Sequence, residues 1–133
     1  MGTRRLAREY CLKMLYLADI SKTNKTKELS LFGLETLKED ALTFANNIIT
    51  ETLKNKDLID KTIIKYAKNW TLDRMPALDR NILRIATYEI LFTDIPIAAI
   101  IDEAIEIAKK YSTENSGRFV NGILDKIKNE RTN

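Results

Sequence analysis

The sequence predicts an all-α domain, and three observations support this class. Its 133 residues include only four glycines and two prolines, so few positions interrupt regular structure. Apolar residues recur mainly at intervals of three and four, the period of a helix with one buried face. Hydrophobic residues make up 44% and charged residues 31% of the chain, which is typical of a folded globular domain. A chain of this length normally forms one domain with its own core.

The first helix is predicted to run from Thr3 to Ile20. Its inward stripe is expected to contain Leu6, Tyr10, Met14, Leu17 and Ala18. The basic residues fall on other faces of the helix and comprise Arg4, Arg5, Arg8 and Lys13. The polar segment 21–27 predicts a loop, and a short helical turn is expected over residues 29–34.

Thr36 and Glu39 have the spacing of a capping box, in which a hydroxyl and a carboxylate satisfy free backbone donors at a helix start. The helix that follows is predicted to turn inward Leu37, Ala41, Phe44, Ala45, Ile48 and Thr52. The next segment has helical spacing at Ile59, Ile63, Tyr66 and Trp70. We predict that most of its aromatic side chains belong to the core.

Pro76 marks a boundary, because the residue before a proline is disfavoured in helical geometry. The helix after it has too many apolar positions for a narrow stripe, namely Leu78, Ile82, Leu83, Ile85, Ala86, Ile90, Leu91 and Phe92. It is therefore predicted to be the most buried helix, with other helices on several sides.

Two further helices complete the prediction. Pro96 suits the first position of a helix whose inward residues are Ile97, Ile100, Ile101, Ala104, Ile105 and Ala108. The last helix is predicted to begin near Thr113 and to carry Phe119, Val120, Ile123, Leu124 and Ile127.

The charge of the chain is unevenly distributed. Its formal net charge is +3, but the first 27 residues carry seven basic and two acidic side chains, a balance of +5, and the rest a balance of −2. A basic leading segment of this kind indicates an anionic partner, either phosphate or a membrane surface. Charged residues interrupt every long apolar run, so neither a secretory signal nor a membrane span is expected, and the predicted location is the cytoplasm.

The composition argues against several catalytic classes. The chain has no histidine, which excludes His-dependent triads and metal sites built on histidine from this chain. It contains no phosphate-binding glycine loop, no GxSxG elbow and no CxxC pair. Cys11 stands alone and cannot form an internal disulfide. We therefore predict no catalytic residues, no metal and no cofactor, and interpret the carboxylates as helix-surface or inter-helix partners.

The first binding candidate is the cluster of Arg4, Arg5 and Arg8 near the start of the first helix. Guanidinium groups can hold phosphate oxygens through two hydrogen bonds, and Tyr16 could stack on a base. Cations are unfavourable at the positive end of a helix dipole, which favours an anionic partner over a simply solvated helix end.

The second candidate is the segment 113–122, which contains Gly117 and Gly122 inside a predicted helix. Each glycine costs about 1 kcal/mol relative to alanine there. One interpretation is that Gly122 permits close helix packing while Asn121 hydrogen-bonds a loop. The other places Ser116 and Arg118 at an anion and Phe119 against a base. Spacing alone leaves both interpretations open.

Several segments together resemble the bacterial NusB family. They are Arg4-Arg5-Leu6-Ala7-Arg8-Glu9, Leu12-Lys13-Met14-Leu15-Tyr16, Leu78-Asp79-Arg80-Asn81-Ile82-Leu83-Arg84-Ile85-Ala86, Tyr88-Glu89-Ile90-Leu91, Asp94-Ile95-Pro96, Asp102-Glu103-Ala104, Ala108-Lys109-Lys110-Tyr111 and Phe119-Val120-Asn121-Gly122-Ile123-Leu124-Asp125-Lys126. The resemblance covers nearly the whole chain in the same order, and its C-terminal part is the most specific.

The resemblance implies a NusB-like fold of about seven helices, arranged as two small bundles over residues 1–70 and 71–133 around the central helix. It implies a non-enzymatic transcription antitermination factor that binds the single-stranded boxA RNA of ribosomal RNA leaders together with NusE, a small-subunit ribosomal protein. The pair would act with other Nus factors on the elongation complex and help RNA polymerase resist Rho-dependent termination. Whether the free protein is a monomer or a homodimer stays open.

The resemblance also implies particular site residues. Those expected to contact RNA are Arg4, Arg5, Arg8, Tyr16, Asn115, Ser116, Arg118 and Phe119. Weaker candidates for the NusE face are Asp79, Arg80, Leu83, Arg84 and Glu89. Many relatives have an acidic residue where this chain has Asn115, so the absence of that negative charge here predicts comparatively favourable RNA binding. Replacing the three N-terminal arginines by alanine is expected to weaken RNA binding without loss of the helical fold.

Two other functions compete with this hypothesis. The first is an RNA-binding domain cut from a ribosomal RNA cytosine methyltransferase, which is disfavoured because 133 residues leave no room for a cofactor-binding α/β domain. The second is a purely protein-binding or membrane-surface helical module, with the basic helix on anionic lipid. It is disfavoured because the first helix offers little exposed aromatic surface beyond Tyr16.

Overall fold

The computed structural model describes residues 3–22 and 37–131. They form six α-helices and two short 3-10 helices, and these ranges contain no β-strand, which confirms the predicted all-α class. The helices are α1 (Thr3–Ile20), α2 (Glu39–Lys54), α3 (Lys56–Tyr66), α4 (Ala77–Phe92), α5 (Ile97–Tyr111) and α6 (Glu114–Ile127), with 3-10 turns at Leu72–Arg74 and Lys128–Glu130. The helical turn predicted over residues 29–34 lies outside the described residues, as does most of the loop predicted over residues 21–27.

Helix α1 has the predicted bounds, but its buried face differs from the prediction. Leu6 is 41% exposed, whereas Arg8 and Glu9 are buried beside Ala7 and Cys11. The prediction from apolar periodicity places charged residues at the solvent, because periodicity contains no information about partners on other helices. Here both charged side chains find such partners, and the inward face of α1 shifts toward them.

Helix α2 begins later than the capping box predicts. Its N-cap residue is Lys38, whose side chain makes no capping hydrogen bond, so a helix start next to Thr36 is wrong. Thr36 itself lies outside the described residues. The interior of the helix agrees with the prediction, since its buried side chains include Ala41, Ala45, Ile48 and Thr52, while Leu37 and Phe44 are half-buried.

Helix α3 ends before the last predicted core aromatic. The helix stops at Tyr66, and Asn69 has a positive φ of 71°, a conformation that asparagine tolerates better than most residues. This turn carries Trp70 off the helix axis and leaves it 43% exposed. The prediction that Trp70 lies in the core is therefore wrong.

Helix α4 is the centre of the molecule, as predicted. Every side chain from Asn81 to Ile90 is buried, and the helix packs against all five other α-helices. Its N-cap is Pro76, and Pro96 likewise precedes the first residue of α5. The division into bundles over residues 1–70 and 71–133 stays a prediction.

Gly117, and not Gly122, is the glycine of α6 that lies close to α5. A Cβ atom on Gly117 would lie 3.3 Å from Cγ of Lys109, tighter than ordinary contact, whereas one on Gly122 would meet nothing within 4 Å. The interpretation that Gly122 permits close packing is therefore corrected. No helix among the described residues is both long and apolar enough to cross a membrane.

Candidate nucleic-acid interface

The three N-terminal arginines do not form one exposed cluster. Arg8 donates two hydrogen bonds to the Glu89 carboxylate inside the core, at 2.9 and 2.7 Å. Arg4 is exposed, and its guanidinium carbon lies 4.9 Å from the centroid of the Phe44 ring. The placement of Arg8 on an outward face is thus wrong, because a buried acceptor on α4 fixes its guanidinium.

Arg5 lies between these two extremes. Its guanidinium donates to both carboxylate oxygens of Glu103 on α5, at 2.7 and 2.8 Å, and stays partly exposed. This hydrogen-bonded contact raises the pKa of Arg5 and lowers the pKa of Glu103. A guanidinium has five N–H donors, so pairing with Glu103 leaves donors that can reach a phosphate.

A lysine and tyrosine cluster lies farther along α5, toward the start of α6. Lys13 and Lys110 place their ammonium groups 5.5 and 5.4 Å from the centroid of the Tyr111 ring. Buried Glu9 accepts hydrogen bonds from Lys110 at 2.9 Å and from the Tyr111 hydroxyl at 2.8 Å. Burial, together with Glu9, raises the pKa of Tyr111 to about 12, so Tyr111 remains a neutral hydrogen-bond donor.

This cluster connects the two segments singled out in the sequence. Nine positions separate Glu103, the partner of Arg5, from Ser112, which precedes α6. At 1.5 Å per helical residue this is a span of about 14 Å. The Arg5 contact with Glu103 and the start of α6 are thus about 14 Å apart along α5, and Tyr111 lies near the end of that span. Tyr16, the remaining candidate on α1, is half-buried.

The first turn of α6 is well ordered by its own side chains. Thr113 is the N-cap, and its hydroxyl accepts a hydrogen bond from the Ser116 amide at 3.1 Å. The Ser116 hydroxyl is buried, lies 2.7 Å from the Ser112 hydroxyl, and donates to Asp79 Oδ2 at 3.2 Å. The interpretation that places this hydroxyl at a bound anion is therefore corrected, because these internal bonds turn it toward α4.

Asn115 and Arg118 are the exposed polar residues of this turn. Arg118 Nη1 lies 3.4 Å from Asn115 Oδ1, a long and weak contact between two exposed side chains. The guanidinium of Arg118 is therefore available to an external acceptor. This arrangement agrees with the interpretation of segment 113–122 as a binding element.

Phe119 and Trp70 form an aromatic pair beside that turn. Their ring centroids are 5.3 Å apart and their planes are inclined by 68°, an edge-to-face arrangement. Trp70 was missed as a site residue because its helical spacing suggested a core position. A signal in the sequence was its place directly after Asn69, a residue common where a helix turns out of its axis.

A groove of about 520 Å³ lies along one side of this aromatic pair. Its lining includes the basic residues Lys68, Arg118 and Lys126, and Gly122 forms part of its floor without a side chain. The sequence pattern points to Arg118 alone among these residues, because isolated lysines on helix surfaces carry no distinctive spacing.

The five weaker candidates for a partner face are mostly inside the protein. Asp79, Leu83, Arg84 and Glu89 are all buried, and Arg80 is only slightly exposed. Ion pairs hold the two arginines in place: Arg80 Nε donates to Asp19 at 2.6 Å, and Arg84 Nε to Asp60 at 2.8 Å. Four of the five side chains are thus covered by the helices around α4, and the NusE face stays a prediction.

Asp79 differs from the other buried acids of α4 in its environment. Its Oδ2 accepts the Ser116 hydrogen bond, whereas Oδ1 has no hydrogen-bond partner among the described residues. Burial raises the pKa of Asp79, and the Ser116 hydrogen bond opposes this only in part. The carboxylate is therefore an incompletely satisfied acceptor next to Phe119.

The carboxylates and the thiol of Cys11 are the remaining groups that could take part in metal or nucleophilic chemistry. The described part of the chain contains no group of three His, Cys, Asp or Glu residues that could hold a metal ion. Cys11 is buried, donates through its thiol to the Ala45 carbonyl at 3.3 Å, and has its pKa raised by burial. A thiol in this state is a poor nucleophile.

The all-helical fold and the basic and aromatic side chains of α1, α5 and α6 together define a small helical nucleic-acid-binding protein. Comparison with known proteins makes the class specific. The NusB family model matches residues 5–129, and the chain belongs to the NusB family.

The similarity extends over whole chains. A transcription antitermination protein NusB of Elusimicrobium minutum is 51% identical, and the match covers 100% of this chain and 98% of the relative. A transcription antitermination protein NusB of Thermodesulfovibrio yellowstonii is 44% identical, and the match covers 96% of this chain and 92% of the relative. Members of the family are antitermination factors and not enzymes. The origin in a methyltransferase therefore gains no support.

Solved structures give the same result. The NusB structure from T. maritima is 44% identical, superposes with a TM-score of 0.88, and the match covers 98% of this chain and 93% of the other. A crystal structure of the antitermination factors NusB and NusE in complex with double-stranded RNA is 25% identical, with a TM-score of 0.81 and 98% of each chain covered.

Proposed function

We propose that this protein is a transcription antitermination factor that binds the single-stranded boxA element of ribosomal RNA leaders together with NusE. In this role it acts in the bacterial cytoplasm, within the elongation complex and with other Nus factors, and helps RNA polymerase resist Rho-dependent termination. The observation that carries the proposal is the exposure of Arg4 and Arg118 together with the partly exposed ring of Phe119. The crystal structure of a relative with NusE and RNA supports the choice of partners.

The basic and the aromatic side chains have different roles in this proposal. Arg4, Arg5 and Arg118 hold backbone phosphates, because guanidinium groups offer several donors to phosphate oxygens. Phe119, Trp70 and Tyr16 offer aromatic surface on which unpaired bases can stack. Phosphate contacts position the strand, while contacts to the bases give sequence preference.

Two of the residues expected at RNA take a supporting role. Arg8 fixes α1 to α4 through Glu89, and its ring contact at 5.5 Å helps hold Phe44 beneath the exposed Arg4. Ser116 orders the first turn of α6 through Thr113 and thereby positions Asn115 and Arg118. Neither side chain needs to touch RNA to matter for binding.

The surface that contacts NusE is also a proposal. The buried residues Asp79, Leu83, Arg84 and Glu89 support this face from within and do not form it. Arg80 is the one of the five that keeps some exposure, at the N-terminal end of α4, where it pairs with Asp19 of α1. Contact with NusE near this end would rely on the outer surfaces of α1 and α4.

A mobility-shift titration with boxA RNA, with and without NusE, tests the proposal. The wild-type protein should bind boxA RNA more tightly than a scrambled RNA of the same length, and NusE should tighten binding further. Every interaction with a phosphate that a substitution removes should reduce the slope of log affinity against log salt by about 0.7 for a single strand. We therefore expect shallower salt dependence for Arg4→Ala and for Arg118→Ala.

Lys54→Ala is the matched control, because Lys54 is exposed at the far end of α2. It lies ten residues, or roughly 15 Å, from Phe44, against which Arg4 packs. Its removal should leave both affinity and salt dependence unchanged. Equal binding of boxA and scrambled RNA, in the presence and absence of NusE, would contradict the proposed function.

A further inference from the structure

Long side chains join α1 to α5 through two successive ion pairs. On α1, Arg5, Glu9 and Lys13 follow one another at intervals of four residues and therefore lie on one face of the helix. On α5, Glu103 and Lys110 are seven residues apart, which also places them on one face. Arg5 pairs with Glu103, and Glu9 pairs with Lys110. These five residues form the α1–α5 junction.

Lys110 is an exposed lysine whose ammonium group is fixed by a buried acceptor. Its side chain is 52% exposed, yet its ammonium donates to both carboxylate oxygens of Glu9, at 2.9 and 3.1 Å, and the Glu9 side chain is only 3% exposed. The Tyr111 hydroxyl donates to the same carboxylate at 2.8 Å. Exposed lysines ordinarily keep their rotamer freedom, and these contacts remove it from Lys110 before any ligand binds.

The junction keeps an excess of positive charge. It contains three cations and two carboxylates, and Lys13 places a second ammonium 5.5 Å from the centroid of the Tyr111 ring that Lys110 also approaches, at 5.4 Å. The ammonium of Lys110 has three N–H groups, of which its contacts with Glu9 use at most two. At least one donor of Lys110 is therefore available to an external acceptor.

The junction lies next to residues that the proposed function assigns to RNA. Its first ion pair contains Arg5, and Lys110 is two helical turns, or about 10 Å, beyond Glu103 along α5. Two residues after Lys110 is Ser112, whose hydroxyl lies 2.7 Å from that of Ser116 in the first turn of α6. Along α5, Lys110 thus lies between the Arg5 contact and the start of α6.

We propose that Lys110, positioned by Glu9, binds a phosphate of the RNA backbone, and that Lys13 contributes a second positive charge at the same ring. The proposal rests on the RNA-binding function above and adds one phosphate subsite to it. A lysine acts on phosphate as a point charge with rotatable donors, so its contribution depends on where its ammonium is held.

Glu9 is a positioning residue in this proposal, because it touches Lys110 and Tyr111 and not the RNA. Binding normally has to immobilise a lysine side chain, and order that already exists in the free protein avoids that cost. A carboxylate close to a phosphate also opposes binding by repulsion. Positioning and repulsion affect the affinity in opposite directions, so the sign of the change on replacing Glu9 by glutamine distinguishes them.

Titration of boxA RNA by mobility shift at several salt concentrations tests the phosphate subsite on the full chain. Lys110→Gln removes the positive charge, while its amide can still donate a hydrogen bond. It should weaken binding and reduce the slope of log affinity against log salt by about 0.7. Lys110→Arg keeps the charge and should retain the slope. Lys54→Gln makes the same change in net charge at the far end of α2 and should leave the slope unchanged.

Glu9→Gln tests the positioning role. At moderate salt, where the loss of one negative charge is largely screened, it should weaken boxA binding about two- to tenfold, because Lys110 must then be ordered on binding. Lys110→Gln should have a smaller effect in the Glu9→Gln background than in wild type. A residue that only stabilised the fold would lower the melting temperature measured by circular dichroism and leave the affinity of the folded variant unchanged.

The outcomes separate this subsite from the general function. Specific boxA binding with the same salt slope in Lys110→Gln and Lys54→Gln would overturn the subsite and leave the proposed function intact. Unchanged or tighter binding by folded Glu9→Gln would overturn the positioning role. If Glu9→Gln failed to fold, the slope of Lys110→Gln would decide the proposal by itself. Equal binding of boxA and scrambled RNA by the wild-type protein would overturn the proposed function, and the subsite with it.

Discussion

Arg8 and Glu89 form a buried ion pair across 81 positions of the sequence. Two parallel hydrogen bonds of 2.9 and 2.7 Å join them, and their side chains are 8% and 2% exposed. The pair links α1 to the centre of α4. Arg8 therefore stabilises the core, although its place in the sequence suggested a phosphate ligand. Measurements of stability and of RNA binding can distinguish these two roles.

Arg8→Ala should destabilise the fold by about 3–5 kcal/mol, because Glu89 would remain buried without its partner. The measurement is urea denaturation followed by circular dichroism. The double variant Arg8→Met with Glu89→Leu replaces the pair by apolar groups and should recover most of the loss. If Arg8→Ala were as stable as wild type yet failed to bind RNA, Arg8 would have a direct role at the RNA, contrary to its position in the core.

Arg131 holds the C-terminal end of α4 from outside the helices. Its guanidinium donates to the carbonyl oxygens of Glu89, Ile90 and Ile95, at 3.0, 2.9 and 2.6 Å. The Ile90 carbonyl belongs to the last turn of α4, where carbonyls have no partner within the helix, whereas the Glu89 carbonyl also accepts from the amide and the hydroxyl of Thr93. The residue lies beyond the last helix and carries no signal of this role in the sequence.

Arg131→Met should lower the free energy of unfolding by about 1.5–3 kcal/mol, the usual range for hydrogen bonds to a charged group. Thermal denaturation would detect a loss of this size. Lys128→Met is the control, because Lys128 forms an exposed ion pair with Asp125 that should contribute little. Equal melting temperatures for the two variants would refute the capping role.

Asp79→Asn should stabilise the protein at neutral pH. Burial raises the pKa of Asp79 above its ordinary value of 3.8, so the folded state holds the proton more tightly than the unfolded state. The penalty of ionisation is absent below the unfolded pKa, develops as the pH rises from there to the folded pKa, and is constant above it. Removing the charge abolishes this penalty.

The expected gain at pH 7 is on the order of 1 kcal/mol or less, because the amide removes the charge but leaves its own N–H donors without a partner at this buried position. It should vanish near pH 3, where both proteins carry an uncharged side chain at this position. Urea titrations at the two pH values provide the measurement, with exposed Asp125→Asn as a control that should change little. A gain that is the same at both pH values would show that burial of the charge is not its cause.

Asn115→Asp should weaken boxA binding several-fold at low salt. The structure adds a reason to the one drawn from the sequence, because Asn115 Oδ1 already lies 3.4 Å from Arg118. A carboxylate there would repel the RNA phosphate. It would also pair with the Arg118 guanidinium, which is expected to hold that phosphate. Titration of boxA RNA at several salt concentrations gives the measurement.

Asn121→Asp makes the same change in net charge on a different face of α6 and should have a smaller effect. The difference between the two variants should shrink as salt screens the charges. Equal or tighter binding by Asn115→Asp would count against the assignment of this turn to the RNA face.

The fold class and most of the helices follow from the amino-acid sequence alone. Apolar spacing located α1 and the buried α4, and Pro76, Pro96 and Thr113 marked helix starts to within a residue, because these signals are local. The charge division indicated an anionic partner, and the resemblance indicated which one. These inferences do not require knowledge of which helices pack against each other.

The role of each charged or aromatic side chain depends on tertiary contacts. Arg4, Arg5 and Arg8 look alike in the sequence, but their environments differ. Arg4 is exposed and lies over the Phe44 ring, Arg5 donates to Glu103, and Arg8 is buried in the core with Glu89. Trp70 has the spacing of a core residue and instead faces Phe119 at the surface. The reason is that burial of a charge or a ring depends on a partner from a distant part of the chain, and local periodicity carries no information about that partner.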